Sequence, residues 1–416
     1  MQDINEIIES EVKRPSVFID ESKLYPEYVP DKLPHREEQV RQLTRLFKSI
    51  ILRPGTVSIR TLLAGPIGSG KTVTSIVFGT NFSKLAERKG VRLRYVHVNC
   101  SKSKNPASIF REIKNQLGLN LPDRGLSATE LGNALLKLLD IDDLYLLVAL
   151  DEFDYFLRVS RPDDRYIIVR FYDVFKTDVK RLNFIYITRG TPTYISSLVD
   201  DITGSYLMKN IVMFNPYKSK EIFDILKARA EIAFYPGVIS DDVLDYIANL
   251  VGIDNGGDGN ARKALAVLHA AGKLADKEML EGRATRVTID HVRAVFSREY
   301  PSLINLIDTL HYLPLHELLV LKAIALALLR TGEDYVPMGV IESIYKRLCS
   351  EIGEEARGHT KVYTYVMDLR HRGIIITRSN IKGRRGRSTY VSFGAIPLNE
   401  LIRKLDHIIS SKRLIQ

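Results

Sequence analysis

Gly65-Pro66-Ile67-Gly68-Ser69-Gly70-Lys71-Thr72 decides the fold of this 416-residue chain. The octet satisfies G-x-x-x-x-G-K-[ST] in full, follows the β-rich run Val57–Ala64 and opens a stretch with helical patterning. Glycines let backbone N–H groups close around phosphate oxygens with no Cβ in the way. The N-terminus of the following helix adds donors and a favourable dipole. In such a loop Lys71 reaches the β- and γ-phosphates of a nucleotide, and the Thr72 hydroxyl can ligate Mg²⁺. A chance Gly-rich turn would need neither the strand before it nor the helix after it.

Further along, Leu146-Leu147-Val148-Ala149-Leu150 ends in Asp151-Glu152, about 80 residues beyond the loop. An apolar run that ends in two acids describes a buried strand delivering carboxylates to its C-terminal edge, where open α/β sheets bind ligands. Asp151 is expected in the Mg²⁺ shell and Glu152 beside the attacking water, as in a Walker B pair. On its own, an acidic pair after a strand is more often a helix cap.

Between Val57 and Phe214, VSIRTLLA, VRLRYVHVN, LYLLVAL and NFIYIT alternate with helix-length segments. This alternation predicts a parallel sheet covered on both faces. Asn215-Pro216 breaks the pattern, and Lys218 to about Phe296 reads as helix throughout. A third regime begins near Leu303. Helical segments at about Leu315–Leu329, Pro337–Cys349 and Gly358–Arg372 precede IIITRS, a Gly-rich basic turn and STYVSFG. Three helices and then a β-hairpin outline a winged helix. The expected domains are therefore 1–215, 216–300 and 301–416.

The composition is 45% hydrophobic and 26% charged, and no apolar run approaches the ~18 residues of a membrane span. The N-terminus MQDINEIIESEVKRP is polar and acidic, unlike a secretory signal or an Arg-rich transit peptide. Cys100 and Cys349 have no metal-ligand spacing, and free thiols in a reducing cytoplasm are expected. The net charge of +10 is uneven, for His311–Gln416 carries 17 Lys and Arg against 10 Asp and Glu. That excess points to a polyanion partner for the C-terminal part. A cytoplasmic, nucleoid-associated protein with no membrane partner is the expectation.

With GPIGSGKT and LLVALDEFDYF stand VPDKLPHREEQVRQL (Val29–Leu43), FNPYKSKEIFDILKARA (Phe214–Ala230) and GGDGNARKAL (Gly256–Leu265). From about Val29 to the C-terminus the chain resembles the archaeal replication initiators related to the eukaryotic origin recognition complex and the cell-division-cycle-six loader. The resemblance implies an α/β architecture with an AAA+ P-loop base, a helical lid and a C-terminal winged helix. It implies bound ATP or ADP with Mg²⁺ and binding of double-stranded origin DNA, alongside other initiator subunits. It also implies recruitment of the replicative helicase (MCM). Carried over by motif, Leu33-Pro34-His35-Arg36 passes beside the adenine, Tyr217 lies against the base and Arg229 follows near the nucleotide. Arg262 matches the sensor-two arginine, whose guanidinium can bind the γ-phosphate and couple nucleotide state to lid position.

Two departures stand out. At the sensor-one position, in Phe184-Ile185-Tyr186-Ile187-Thr188-Arg189-Gly190, the family usually places Asn where Arg189 stands. No arginine occurs between Arg189 and Arg229, although an arginine finger is expected near Ser205-Tyr206-Leu207-Met208. Loss of a finger can cost ~10³ or more in phosphoryl-transfer rate, so slow hydrolysis is expected.

The third winged-domain helix places Val362, Tyr365, Val366 and Leu369 at core spacing. Its other side presents Thr360, Thr364 and His371, with Arg357 and Lys361 near the N-terminal end, the part that helix-turn-helix proteins insert into the major groove. The wing tip, Lys382-Gly383-Arg384-Arg385-Gly386-Arg387, offers four cations suited to phosphates and narrow minor grooves. Ser101–Pro106, after the second strand, is either a short DNA-touching insertion or a plain surface loop. Two other readings stay open: a nucleotide-switched signalling or transposition ATPase whose winged helix docks proteins, and a DNA-binding regulator with a structural P-loop from which ADP never leaves.

Overall fold

The computed structural model describes residues 4, 5, 9, 15–120, 125–255, 257–281, 284–299, 310, 313–379, 389–393 and 398–413. It divides the chain into two compact units: Val29–Tyr217, and Met1–Tyr28 together with Lys218–Gln416.

The first unit is built on five strands: β1 (Arg60–Ala64), β2 (Leu93–Asn99), β3 (Tyr145–Asp151), β4 (Leu182–Ile187) and β5 (Ile211–Met213). Their order is β2-β3-β4-β1-β5 and every pairing is parallel. Because strand side chains alternate between faces, β3 feeds two cores. Leu146, Val148 and Leu150 join Phe184 and Tyr186 on one face. Leu147 and Ala149 join Ile185, Ile187 and Leu63 on the other. Both faces are covered, which is why these strands read as continuous apolar runs. The sequence did not single out β5, since three residues show no periodicity.

Among the helices of this unit are α1 (Glu37–Phe47), α2 (Lys71–Arg88), α3 (Pro106–Leu117), α4 (Ala128–Ile141) and α5 (Phe153–Val159). α3 starts where Asn105 caps Ser108 and Pro106 sits in the first turn. α2 packs so closely on β2 that a Cβ on Gly79 would lie 2.0 Å from the Tyr95 ring. The loop Gly65–Gly70 joins β1 to α2. It therefore opens at the C-terminal edge of the sheet, beside the end of β3.

In the second unit the lid is α6 (Ser219–Ala233), α7 (Asp241–Val251), α8 (Ala261–Leu280) and α9 (Ile289–Glu299). The N-terminal segment is strapped across it. Val17 donates its N–H to Asp276 Oδ1 at 2.6 Å, and Ile19 donates to the Ala233 carbonyl at 2.8 Å. The Phe18 ring packs tilted against Phe234, centroids 4.7 Å apart, and fills the notch left by Gly272.

The winged helix follows as α10 (Leu315–Thr331), β6 (Val336–Pro337), α11 (Met338–Ile352), α12 (His359–His371), β7 (Ile375–Ser379), β8 (Thr389–Phe393) and α13 (Leu398–Arg413). Its antiparallel sheet has the order β6-β8-β7. Gly332 and Gly353 end α10 and α11 with φ of 64° and 77°, the left-handed cap that glycine takes without a steric penalty. Within this unit Arg378 of β7 pairs with Asp245 of α7 at 2.9 Å and lies 3.9 Å over the Tyr335 ring. The Tyr246 hydroxyl of α7 donates to the Phe393 carbonyl of β8. Among the described residues no helix is long and apolar enough to cross a membrane.

Candidate nucleotide site and nucleic-acid interface

Positive φ values at Gly65, Gly68 and Gly70 (152°, 74° and 89°) bend the loop into a cradle. Two of these glycines are also required by space. A Cβ on Gly65 would stand 2.2 Å from the Phe214 carbonyl oxygen, and one on Gly70 would stand 2.5 Å from the Tyr217 hydroxyl. Ser69 is fully buried and ties its hydroxyl to the Pro66 carbonyl at 2.9 Å. Ile67 is exposed at the loop's crest. The Lys71 ammonium rests on the carbonyls of Gly65 (2.8 Å) and Pro66 (2.6 Å) and on the Ser69 hydroxyl (3.3 Å).

Arg36 and Tyr217 form the buttress of this loop. Arg36 donates through Nε and Nη2 to the Ser69 carbonyl (3.0 and 2.8 Å), through Nη2 to Asn215 and through Nη1 to His35. Its guanidinium lies 3.7 Å over the Tyr217 ring, and both side chains are buried. His35 takes a left-handed φ of 61° immediately before it.

At the end of β3, Asp151 receives the Thr72 hydroxyl at 2.8 Å and the Glu152 N–H at 2.8 Å. The expected Mg²⁺ ligands are thus side by side. A third partner was missed from sequence: His97 Nε2 lies 3.2 Å from the same Asp151 oxygen. A carboxylate only accepts, so this nitrogen donates. Burial holds the His97 pKa down, against the pull of the Asp151 charge. The signal available is the alternation of polar His97 and Asn99 with the buried Val96 and Val98 at the end of β2. The Cys100 thiol, buried beneath, is pushed up by burial and then by the nearby acids, so it stays protonated.

Glu152 has a left-handed backbone, φ 54° and ψ 38°, at the start of α5. A residue other than glycine held there marks a tightly determined position. Its carboxylate is ion-paired with Arg189. Thr188 is buried instead, with its hydroxyl on the Leu63 carbonyl at 3.3 Å. Ser205 and Tyr206 lie on a short helix, Asp201–Leu207, with Ser205 bonded to the Ile202 carbonyl.

The other expected nucleotide residues belong to the second unit. Arg229 is buried and donates to the Lys23 (3.1 Å) and Tyr28 (3.4 Å) carbonyls, with its guanidinium over the Tyr28 ring. Here it anchors the strap. Arg262 is exposed in the first turn of α8, which Asn260 caps.

On α12, Val362, Val366 and Leu369 point into the winged-helix core, and Tyr365 is partly buried against it. Thr360, Lys361 and Thr364 are exposed, as is Arg357 just before the helix. Tyr363, 40% exposed on the same face, was passed over in the sequence. Its signal is an aromatic out of phase with the core positions. Arg357 is held in place: its N–H donates to the Tyr345 hydroxyl at 3.2 Å and its Nε to His316 Nε2 at 3.3 Å. His316 Nδ1 meets the Tyr345 hydroxyl at 2.8 Å. The wing-tip candidates Lys382, Arg384, Arg385 and Arg387 lie outside the described residues. In Ser101–Pro106, Asn99 Oδ1 accepts from both the Ser101 N–H and hydroxyl, and Lys102 and Lys104 are exposed.

A P-loop facing paired acids on a parallel sheet, with a helical lid and a winged helix in one chain, defines an AAA+ ATPase-type protein with a DNA-binding-type module. Family models agree. An AAA domain matches residues 60–194, a Cdc6 AAA+ ATPase-type lid domain 223–297, and the CDC6 C-terminal winged helix domain 308–399. The chain is 39% identical to ORC1-type DNA replication protein 2 of Sulfurisphaera tokodaii over 421 residues, 100% of this chain and 98% of that protein. Among solved structures it resembles Cdc6p of Pyrobaculum aerophilum (TM-score 0.81, 30% identity, covering 95% of this chain and 100% of that one). It also resembles the Aeropyrum pernix ORC1 protein in complex with DNA (TM-score 0.58, 28% identity, covering 97% and 99%). The chain belongs to the archaeal Orc1/Cdc6 family of DNA replication initiators.

Proposed function

We propose that this initiator holds ATP or ADP with Mg²⁺ in its P-loop, binds double-stranded origin DNA through its winged helix and AAA+ domain, and helps recruit the replicative helicase (MCM) with other initiator subunits. The Thr72–Asp151 contact carries the nucleotide part. A hydroxyl and a carboxylate converging at the mouth of a phosphate cradle are the hard oxygen donors that suit Mg²⁺. When bound, the ion would neutralise charge on the phosphate oxygens. Gly65 to Gly70 offer N–H groups to the phosphates, and Lys71 exchanges its loop carbonyls for phosphate oxygens. Arg36 and Tyr217 keep the loop in shape beneath the base, next to His35. Arg262 reports the γ-phosphate to the lid, and Arg229 orders the strap through its carbonyls. Glu152 accepts the proton of the attacking water.

For DNA, the exposed row Arg357, Thr360, Lys361 and Thr364 at the start of α12 supports insertion into the major groove. Lys382, Arg384, Arg385 and Arg387 would then grip the backbone from the wing. The A. pernix ORC1 protein, similar along nearly its whole length, is known in complex with DNA. A mobility-shift titration with origin duplex against random duplex of equal length tests this reading. Equal affinity for both would reduce it to non-specific binding, and no binding to either would favour a protein-docking winged helix.

A further inference from the structure

We propose that Arg189 is a positioning residue that latches the hydrolytic carboxylate: its guanidinium holds Glu152 in an ion pair, and hydrolysis proceeds only while that pair is open. The inference rests on the reading of Glu152 as the residue that accepts the water's proton. In that step the water oxygen bonds to the γ-phosphorus, the bridging P–O bond to the β-phosphate breaks, and the water's proton passes to Glu152. A Glu152 whose lone pairs are engaged by a guanidinium is a poor acceptor for that proton.

The backbone directs the two side chains toward each other. Glu152 leaves β3 through a left-handed residue, φ 54°. Arg189 leaves the neighbouring β4, and the residues around it are bonded on three sides. The Thr188 N–H donates to the Leu63 carbonyl at 3.0 Å, and the Gly190 N–H donates to the Gly65 carbonyl at 3.2 Å. The Arg189 N–H donates to Asp154 Oδ1, in the first turn of α5, at 3.2 Å. Position 189 is therefore fixed both to the start of the phosphate loop and to the helix that follows Glu152. From there Arg189 Nη2 meets Glu152 Oε1. The Arg189 side chain is 45% exposed and that of Glu152 29%, so the pair is reachable by water and salt and can open without unfolding the core. A short amide at this position could orient a water but would leave the carboxylate free.

The test uses full-length protein, with single-turnover hydrolysis of radiolabelled ATP and affinity for a fluorescent ATP analogue measured separately. Arg189→Asn and Arg189→Ala should each raise the hydrolysis rate about fivefold, the upper end of what an exposed pair contributes. Nucleotide affinity should stay within about twofold of wild type. Arg189→Lys, which keeps the charge, should remain close to wild type. Raising salt from about 50 to about 500 mM should speed the wild type by screening the pair and leave Arg189→Asn unchanged. A merely structural role for Arg189 would not produce that difference in salt response. Wild-type or slower hydrolysis by Arg189→Asn, with nucleotide affinity intact, would overturn the latch. Absence of nucleotide binding in the wild type would instead overturn the nucleotide-site reading, and the latch with it.

Discussion

The Arg36 guanidinium lies over the Tyr217 ring, 3.7 Å from its centroid, while two of its nitrogens bond the Ser69 carbonyl. Two residues 181 positions apart in sequence thereby support one peptide of the phosphate loop. Arg36→Ala would leave the buried Ser69 carbonyl without its two donors and the more exposed Asn215 carbonyl without one. It should destabilise the protein by about 2–4 kcal/mol and weaken nucleotide binding with it. Arg36→Lys should recover little, because a compact ammonium lacks the planar guanidinium that reaches Ser69, Asn215 and His35 together while stacking on a ring. Urea melts monitored by circular dichroism, alongside nucleotide titrations, check both effects.

Lys71 has its charge directed at the loop's own carbonyls, and Lys71→Ala removes the cation that phosphate oxygens would take over. Nucleotide affinity should fall roughly 100-fold. Chromatography of the nucleotide released from denatured protein is the direct measurement. Unchanged content would show that the cradle binds something other than nucleotide phosphates.

Hydrolysis by the isolated protein should run well below ~1 s⁻¹, since the finger is missing and Arg189 stands at the sensor-one position. Glu152→Gln should slow it further and spare binding, because the amide keeps the shape but cannot accept the proton. Several turnovers per second in a steady-state assay would count against this account of both departures.

His316 is poised for a pH effect. Burial holds its pKa down and the Arg357 charge adds to this, with Glu354, 4.0 Å away, opposing them. The unfolded chain therefore takes up the proton first as pH falls through the ordinary histidine value of about 6.5. Stability present above that value should be lost below it, so Tm should drop between pH 7.5 and pH 5.5. His316→Gln should flatten the drop. A wild-type Tm that rises on acidification would contradict the sign.

The two parts of the winged domain should fail differently on DNA. Neutralising Arg384, Arg385 and Arg387 together should weaken binding to every duplex and flatten its salt dependence by roughly 0.9 in slope per lost phosphate contact. Replacing Thr360, Lys361 and Thr364 should instead erode the preference for origin DNA, at about 1–3 kcal/mol per lost base contact. Competition titrations at several salt concentrations separate the two. Wild-type affinity and slope in the wing variant would make the basic tip a solvated loop.

Local features long enough to carry a motif or a period were legible in the sequence, whereas the three-residue β5 was not. The octet at Gly65, the strand ending at Asp151 and the three helices before the wing were all legible, because periodicity and motif spacing act over a few residues. Contacts that depend on strand order were not. His97 reaches Asp151 only because β2 pairs with β3 in a particular register. Arg189 could be recognised as a departure, but its hold on Glu152 needed β3 and β4 side by side. The strap was likewise hidden, since Phe18 finds its place only against Phe234 and the bare Gly272.

The bonds from α7 to the wing strands have a mechanical meaning. Asp245 holds Arg378 of β7, and Tyr246 one residue later holds the Phe393 carbonyl of β8, so both strands of the hairpin hang from one turn of a lid helix. Such a joint has little freedom to pivot, and a tilt of α7 becomes a displacement of the hairpin. Any tilt of α7 would thus be handed straight to the base of the wing at Arg378 and Phe393.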